Sequence, residues 1–278
     1  MPEEQGRLTA GDGLSLSWKA LVPDSRPKAA VHVIHGYAEH FGRYANVASE
    51  LLPAGYALIG NDHRGHGTSE GKRACISSFE EYLDDEQLFR DEVVKRLFPG
   101  IPSFVLGHSM GSIIALNLAE RTSDRLAGLV LSGMGSVLSP GIPGILTLIT
   151  RLLSRLAPRI HVRSPLPPDF ISRDPEVVKA YVSDPLVFNV ITPRLAEQMA
   201  AYTALGAQNA DRVKIPVLIQ YGSLDTSFGG QQELFEAIGS ADKTIRRYEG
   251  LKHEVYNELP ADRAVVLSDL RAWLDARL

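Results

Sequence analysis

The chain has 278 residues, enough for one large α/β domain with an insertion, and 44% of them are hydrophobic. With 29 Lys and Arg against 33 Asp and Glu, the formal net charge of −4 excludes the basic footprint of a nucleic-acid binder and favours small neutral substrates. Cys75 is the only cysteine, which excludes an internal disulfide, and no apolar run reaches the roughly 18 residues that a membrane-spanning helix needs.

The opening residues, MPEEQGRLTAGDG, are polar and acidic and lack the basic start and apolar centre of a secretory signal, so the expected location is cytoplasmic. VHVIH (31–35) is a short β-branched run that reads as a strand, followed by a helical pattern in NVASELLPAGY (46–56) and a second strand in YALIG (56–60). SSFEEYLDDEQLFRDEVVKRLF (77–98) reads as a helix with Ser77 or Ser78 as N-cap. SFVLG (103–107), a helix after Ser109, LAGLVLS (126–132), VLIQYG (217–222), TIRRYEG (244–250) and a terminal helix complete the series. Strands that alternate with helices predict a mostly parallel sheet covered on both faces, because parallel strands need crossover connections. Ligands in such sheets bind at the carboxyl ends of the strands.

The alternation breaks over 135–208, where Pro140, Pro143, Pro158, Pro165, Pro167, Pro168, Pro175, Pro185 and Pro193 punctuate short helical patterns. The expected organisation is a core in two parts, 1–134 and 209–278, around a helical cap at 135–208. Within the cap, GILTLITRLLSRLAPR (144–159) sets Ile145, Leu148, Ile149, Leu152 and Leu156 at helical spacing, with Arg151, Arg155 and Arg159 four apart on another face. Two readings follow: a cap helix packed on the core, or an apolar lip against lipid with basic residues toward headgroups.

LGHSMG (106–111) contains G-x-S-x-G directly after a predicted strand. In a strand, tight turn and helix, this pattern lifts a serine hydroxyl above the sheet edge while the glycines relieve collisions. A serine hydroxyl is a weak nucleophile at neutral pH, so Ser109 needs a base, and the base needs an orienting acid. In this architecture the acid follows the serine in the chain and the histidine comes last. Only His161 and His253 lie beyond Ser109; His161 falls within the cap, whereas His253 in YEGLKHEVYNE follows a strand. Asp225, three residues past Gly222, is better placed as the acid than Glu233, Asp242 or Glu249. His63, His66 and His108 read as structural, and HGYAEH (35–40) has the spacing of neither zinc helix motif, so no metal is expected. That turn instead supplies a backbone donor: an ester oxygen that gains charge needs two pre-aimed N–H groups, expected from Tyr37 and Met110.

Taken together, HGYAEHFGRY, NDHRGHGTSEGKR, LGHSMG, SRDPEVVKAY, DPLV, YGSLD and YEGLKHEVYNELP resemble the monoglyceride lipase family of serine α/β hydrolases, in order and over most of the chain. The resemblance implies the α/β-hydrolase fold and cleavage of monoacylglycerol to fatty acid and glycerol without a cofactor. It also implies a mobile cap whose apolar surface meets lipid, giving transient peripheral contact with membranes. It assigns Ser109 as nucleophile, Asp225 as acid, His253 as base, and Tyr37 with Met110 as oxyanion donors. Glu39 and Arg43 match positions that shape the polar end of the substrate site, with an ion pair near a helix start as the other reading. Three departures stand out. Ala38 replaces a frequent glycine, TSFGGQQ (226–232) replaces an apolar proline-containing loop after Asp225, and Tyr256 replaces a histidine near the glycerol end. The alternatives are a general carboxylesterase or lysophospholipase with the same triad, or a non-catalytic lipid-binding relative.

Overall fold

The computed structural model describes residues 3–122, 126–138, 143–164 and 166–278; Pro140 and Pro165 of the proline series lie outside them. The chain opens with an antiparallel hairpin, β1 (Glu3–Thr9) and β2 (Ser15–Leu21), turned at Gly13 with φ +91°. Nothing in the strand pattern above anticipated it. In β2, Leu16, Trp18 and Ala20 are buried and alternate with exposed or half-buried residues, the period of a strand with one covered face.

β3 (Ala29–Ile34) and β4 (Tyr56–Asn61) flank α1 (Ala45–Leu51) in the chain and pair in parallel, each buried along its whole length. Burial on both faces explains their continuous apolar runs. α2 (Glu80–Phe89) follows; Phe79 occupies its N-cap, and the Ser78 hydroxyl still accepts the Glu80 N–H at 3.3 Å. A π turn over Arg90–Val94 carries it into the short α3 (Lys95–Leu97). β5 (Ser103–His108), α4 (Met110–Thr122) and β6 (Gly128–Ser132) then complete the first half of the sheet.

Beyond β6 the described residues add nothing to that sheet until β10. The intervening elements are β7 (Val137–Leu138), α5 (Gly144–Leu156), β8 (Val162–Arg163), α6 (Pro175–Ser183), β9 (Val190–Ile191) and α7 (Pro193–Asn209). β10 (Val217–Gly222), β11 (Phe228–Gly229), α8 (Gln231–Ala237), β12 (Lys243–Tyr248) and α9 (Pro260–Asp275) close the chain. The large sheet has the order β1-β2-β4-β3-β5-β6-β10-β12; β7 pairs with β11, and β8 with β9. Two apolar layers cover it. α2, α4, α7 and α8 pack on one face around Ile113, Leu116 and Leu195, while α1 and α9 pack on the other around Leu51, Leu270 and Trp273. This is the mostly parallel sheet covered on both faces that the alternation predicts.

α5 inverts the usual arrangement of a surface helix. Its buried residue is Ser154, which donates to Glu197 of α7 at 3.4 Å, whereas Ile145 and Leu148 are each 62% exposed and Leu156 74%. The apolar face therefore points to solvent, which removes the reading of a helix packed through that face. Among the described residues, no helix is long and apolar enough to cross a membrane.

The turn between β5 and α4 depends on close backbone approach. A Cβ on Gly111 would lie 1.9 Å from the Ile34 carbonyl oxygen, and one on Gly107 would lie 2.5 Å from that of Gly111. Both obstacles are main chain and cannot swing aside. Gly111→Ala is expected to destabilise the fold by about 3 kcal/mol or more, a fall in melting temperature of roughly 6–12 °C. A melting curve superimposable on the parent's would contradict this packing.

Candidate active site

Ser109 sits in the sharp turn after β5 with φ +54°, a left-handed conformation that costs a non-glycine residue of order 1–2 kcal/mol. Its N–H donates to the Ser132 carbonyl of β6 at 2.9 Å, which ties the turn to the neighbouring strand. β10 ends at Gly222 and leaves Asp225 at the rim, its side chain fully buried. One carboxylate oxygen accepts the Ser227 N–H at 2.8 Å; the other lies 2.8 Å from Nδ1 of His253. The altered loop after Asp225 thus holds the carboxylate in place, and its Phe228 lies parallel to the His253 ring, centroids 6.3 Å apart.

His253 follows β12 and is buried among the rings of Phe170, Phe228 and His108. Burial alone would lower its pKa, but the Asp225 carboxylate outweighs it by charge and hydrogen bond and holds the ring above the ordinary histidine value. Reciprocally, burial would raise Asp225, and His253 keeps it below the usual carboxylate value. The neighbouring His108 is pushed down to about 4 by burial and by His253, so it stays neutral while its Nδ1 faces the Ser132 hydroxyl at 3.2 Å. Gly133, with φ +58°, belongs to this packing, since a Cβ there would come 3.0 Å from the His253 ring.

Ser109 and His253 line one cavity of about 740 Å³ including its mouth, within the range of small-molecule sites. Leu138, Leu166, Phe170, Phe188 and Met199 give it an apolar wall; Glu39 and Glu254 stand at a polar end. Among the described residues no hydrogen bond joins Ser109 to His253, and such bonds commonly tighten only around bound substrate. A carboxylate, an imidazole and an alcohol arrayed along such a cavity can move a proton off the alcohol. The turn after β3 forms the remaining wall. Tyr37 is half-buried there, no hydrogen bond among the described residues occupies its N–H, and Met110 opens α4 directly after Ser109. Ala38 adopts φ +65°, a left-handed backbone conformation that favours glycine.

Glu39 and Arg43 form a buried ion network. The Arg43 guanidinium grips Glu254 bidentately at 2.6 and 2.7 Å and Glu39 at 2.8 Å, and lies 4.6 Å from the Tyr181 ring centroid of α6. The other Glu39 oxygen accepts the Gly36 N–H at 2.6 Å and the Tyr44 hydroxyl at 2.9 Å. Burial would raise Glu254, but Arg43 brings it down to about 2. The geometry therefore favours the ion-pair reading of Glu39 and Arg43. Arg43 and Tyr256 line a second, smaller cavity without Ser109, and the Tyr256 hydroxyl donates to Gln220 at 2.7 Å. Glu254 escaped the sequence reading; its signal was an acidic residue directly beside His253. Phe170 and Gly133 had no signal in the sequence, because their role is contact across distant segments.

Removing the guanidinium strands two buried carboxylates. Arg43→Met is expected to destabilise the fold by about 3–5 kcal/mol, measured by denaturant unfolding, and Arg43→Lys to recover only part of this because an ammonium cannot hold both carboxylates in a planar fork.

Comparison with known proteins places this geometry in a lineage. The family described as serine aminopeptidase, S33 matches residues 25–260. The chain is 35% identical over 271 residues to a monoacylglycerol lipase of Mycolicibacterium smegmatis, spanning 96% of this chain and 95% of that protein. It is 31% identical over 274 residues to a monoglyceride lipase of Homo sapiens, spanning 97% and 90%. A solved monoacylglycerol lipase structure from Paleococcus ferrophilus superposes over the full length of both chains with a TM-score of 0.82 at 28% identity. On that breadth of agreement the chain belongs to the monoglyceride lipase family of serine α/β hydrolases.

Proposed function

We propose that the chain cleaves monoacylglycerol to fatty acid and glycerol through an acyl-enzyme on Ser109. The observation that carries this is the 2.8 Å contact from Asp225 to His253 Nδ1, with Nε2 left to serve Ser109 in the shared cavity. His253 takes the Ser109 proton as the hydroxyl attacks the ester carbonyl, and the oxyanion is stabilised by the N–H groups of Tyr37 and Met110. His253 returns the proton to the departing glycerol oxygen. Water, activated by the same ring, then releases the fatty acid, while Asp225 stays ionised and holds the tautomer. The apolar wall suits an acyl chain. Glu39 and Glu254 belong to the polar end, and Tyr256 shapes it only through the adjoining cavity.

Two 35%- and 31%-identical relatives whose names specify monoacylglycerol support the choice of substrate. We propose the core-cap-core division at 134 and 208, with α5 on the insert; the outward apolar face of α5, with Arg151, Arg155 and Arg159 exposed, supports access from a lipid surface. We propose that this face rests transiently on membranes, the basic residues toward headgroups.

Ser109→Ala is expected to abolish hydrolysis of monoacylglycerol and labelling by a fluorophosphonate probe; residual turnover in pure protein refutes the assignment. Faster cleavage of lysophospholipid than of monoacylglycerol would replace the substrate. The acid limb of kcat/KM is expected above the ordinary histidine value of about 6.5, because the base must be unprotonated and its pKa is raised. Activity is lost as pH falls through that point. Asp225→Asn should lower kcat by about 10⁴ and move the limb downward, measured by pH–rate profiles. For the membrane face, Ile145→Ser with Leu148→Ser should weaken liposome sedimentation while leaving hydrolysis of a short soluble ester intact.

A further inference from the structure

Beneath the turn that bears Tyr37 runs a chain of buried side chains that the mechanism above does not use. His32 lies on β3, His35 directly follows that strand, His63 follows β4, and Glu86 belongs to α2; all four are fully buried. The Glu86 carboxylate lies 3.0 Å from His32 Nε2 through one oxygen; the other lies 3.0 Å from His63 Nδ1 and accepts from Asn61 at 2.9 Å. On its far side, His63 Nε2 lies 3.0 Å from the His35 carbonyl oxygen, while the His63 N–H donates to His35 Nε2 at 3.0 Å.

These contacts fix where the protons sit. His35 accepts through Nε2, so its proton is on Nδ1, which donates to the Gly36 carbonyl at 2.7 Å. Burial and the charge of His63 hold His35 well below the ordinary histidine pKa, which keeps it in that neutral form. His63 has a Glu86 oxygen before Nδ1, as an ion-pair approach outside hydrogen-bond alignment, and the His35 carbonyl before Nε2. Burial would lower its pKa, but Glu86 lifts it above the ordinary value. Glu86 itself, which burial would raise, is brought down to about 2 by the two histidines.

The Gly36 carbonyl is one end of a peptide group whose other end is the Tyr37 N–H. A bond to the carbonyl fixes the plane of that peptide and polarises it, strengthening the N–H as a donor. We propose that Glu86 is a positioning residue for ester hydrolysis, holding the Gly36–Tyr37 peptide in its catalytic orientation through His63 and His35. The inference rests on Tyr37 being an oxyanion donor. The network is more than a fastening of the loop after β4, because α2 holds that loop separately: Asp85, beside Glu86, grips Arg64 at 2.7 and 2.8 Å.

The test compares p-nitrophenyl butyrate with its thionoester. Sulfur is the poorer hydrogen-bond acceptor, so the ratio of the two kcat values reads the oxyanion hole and is indifferent to global stability. Glu86→Leu, confirmed as folded by circular dichroism, is expected to lower oxoester kcat by about 10- to 100-fold, with KM little changed and the oxoester preference reduced. Glu86→Gln, which keeps one acceptor, should fall between Glu86→Leu and the parent, and it carries the test if Glu86→Leu does not fold. Unchanged kcat, or a lower kcat with the same oxoester preference, overturns the proposal. If Ser109→Ala is inactive while both Glu86 variants match the parent, only this inference fails. If the parent shows no oxoester preference, the Tyr37 reading fails with it.

Discussion

One buried guanidinium holds the two halves of this site in register. Arg43 binds Glu254, adjacent to His253, and Glu39, whose second oxygen captures the Gly36 N–H. The loop of His253 and the turn of Tyr37 come from opposite ends of the chain, yet they share this one cation. Two carboxylates could not be buried here without it, because desolvating an unpaired charge costs several kcal/mol. The arrangement leaves one negative charge in excess, and both carboxylates raise the pKa of His253. The site thereby favours a charged ring at His253, as the proposed proton transfer from Ser109 requires.

The same turn is where the inserted segment meets the core. The Tyr37 hydroxyl donates to the Val190 carbonyl at 2.6 Å, His40 faces Asp184 at 2.9 Å, and Tyr181 stacks on Arg43. These contacts tie the segment around Tyr181–Val190 to the turn that bears Tyr37. Six of the histidines show how far environment governs one side-chain chemistry. His253 and His63 each face a carboxylate and are raised, whereas burial first, and neighbouring positive groups second, lower His108, His35 and His66; His32 is lowered by burial even though it faces Glu86.

What the sequence made legible was local or periodic. The turn around Ser109 could be read because G-x-S-x-G directly after a strand run is a local pattern, although only Gly107 answers a collision within a few residues and Gly111 answers one with the distant Ile34 carbonyl. Asp225 and His253 could be read because strand ends project their loops to one edge of a parallel sheet. The hairpin of β1 and β2 was missed although Asp12-Gly13 followed by alternating Leu16, Trp18 and Ala20 is a hairpin signal, since the exposed first strand carries almost no apolar pattern. The periodicity of α5 revealed an apolar stripe but not its direction, because a stripe looks the same whether a core or a solvent faces it. Beyond the local Glu39–Arg43 pair, the networks of Arg43 and Glu86 were illegible for a deeper reason: their partners lie up to 211 residues apart, and pairing at that range is a property of the folded chain.

The left-handed backbone at Ser109 has a thermodynamic consequence. Glycine adopts φ +54° without steric penalty, so a chain with glycine at position 109 would be free of that backbone strain. On the proposal that Ser109 is the nucleophile, activity and backbone comfort pull against each other at this one position.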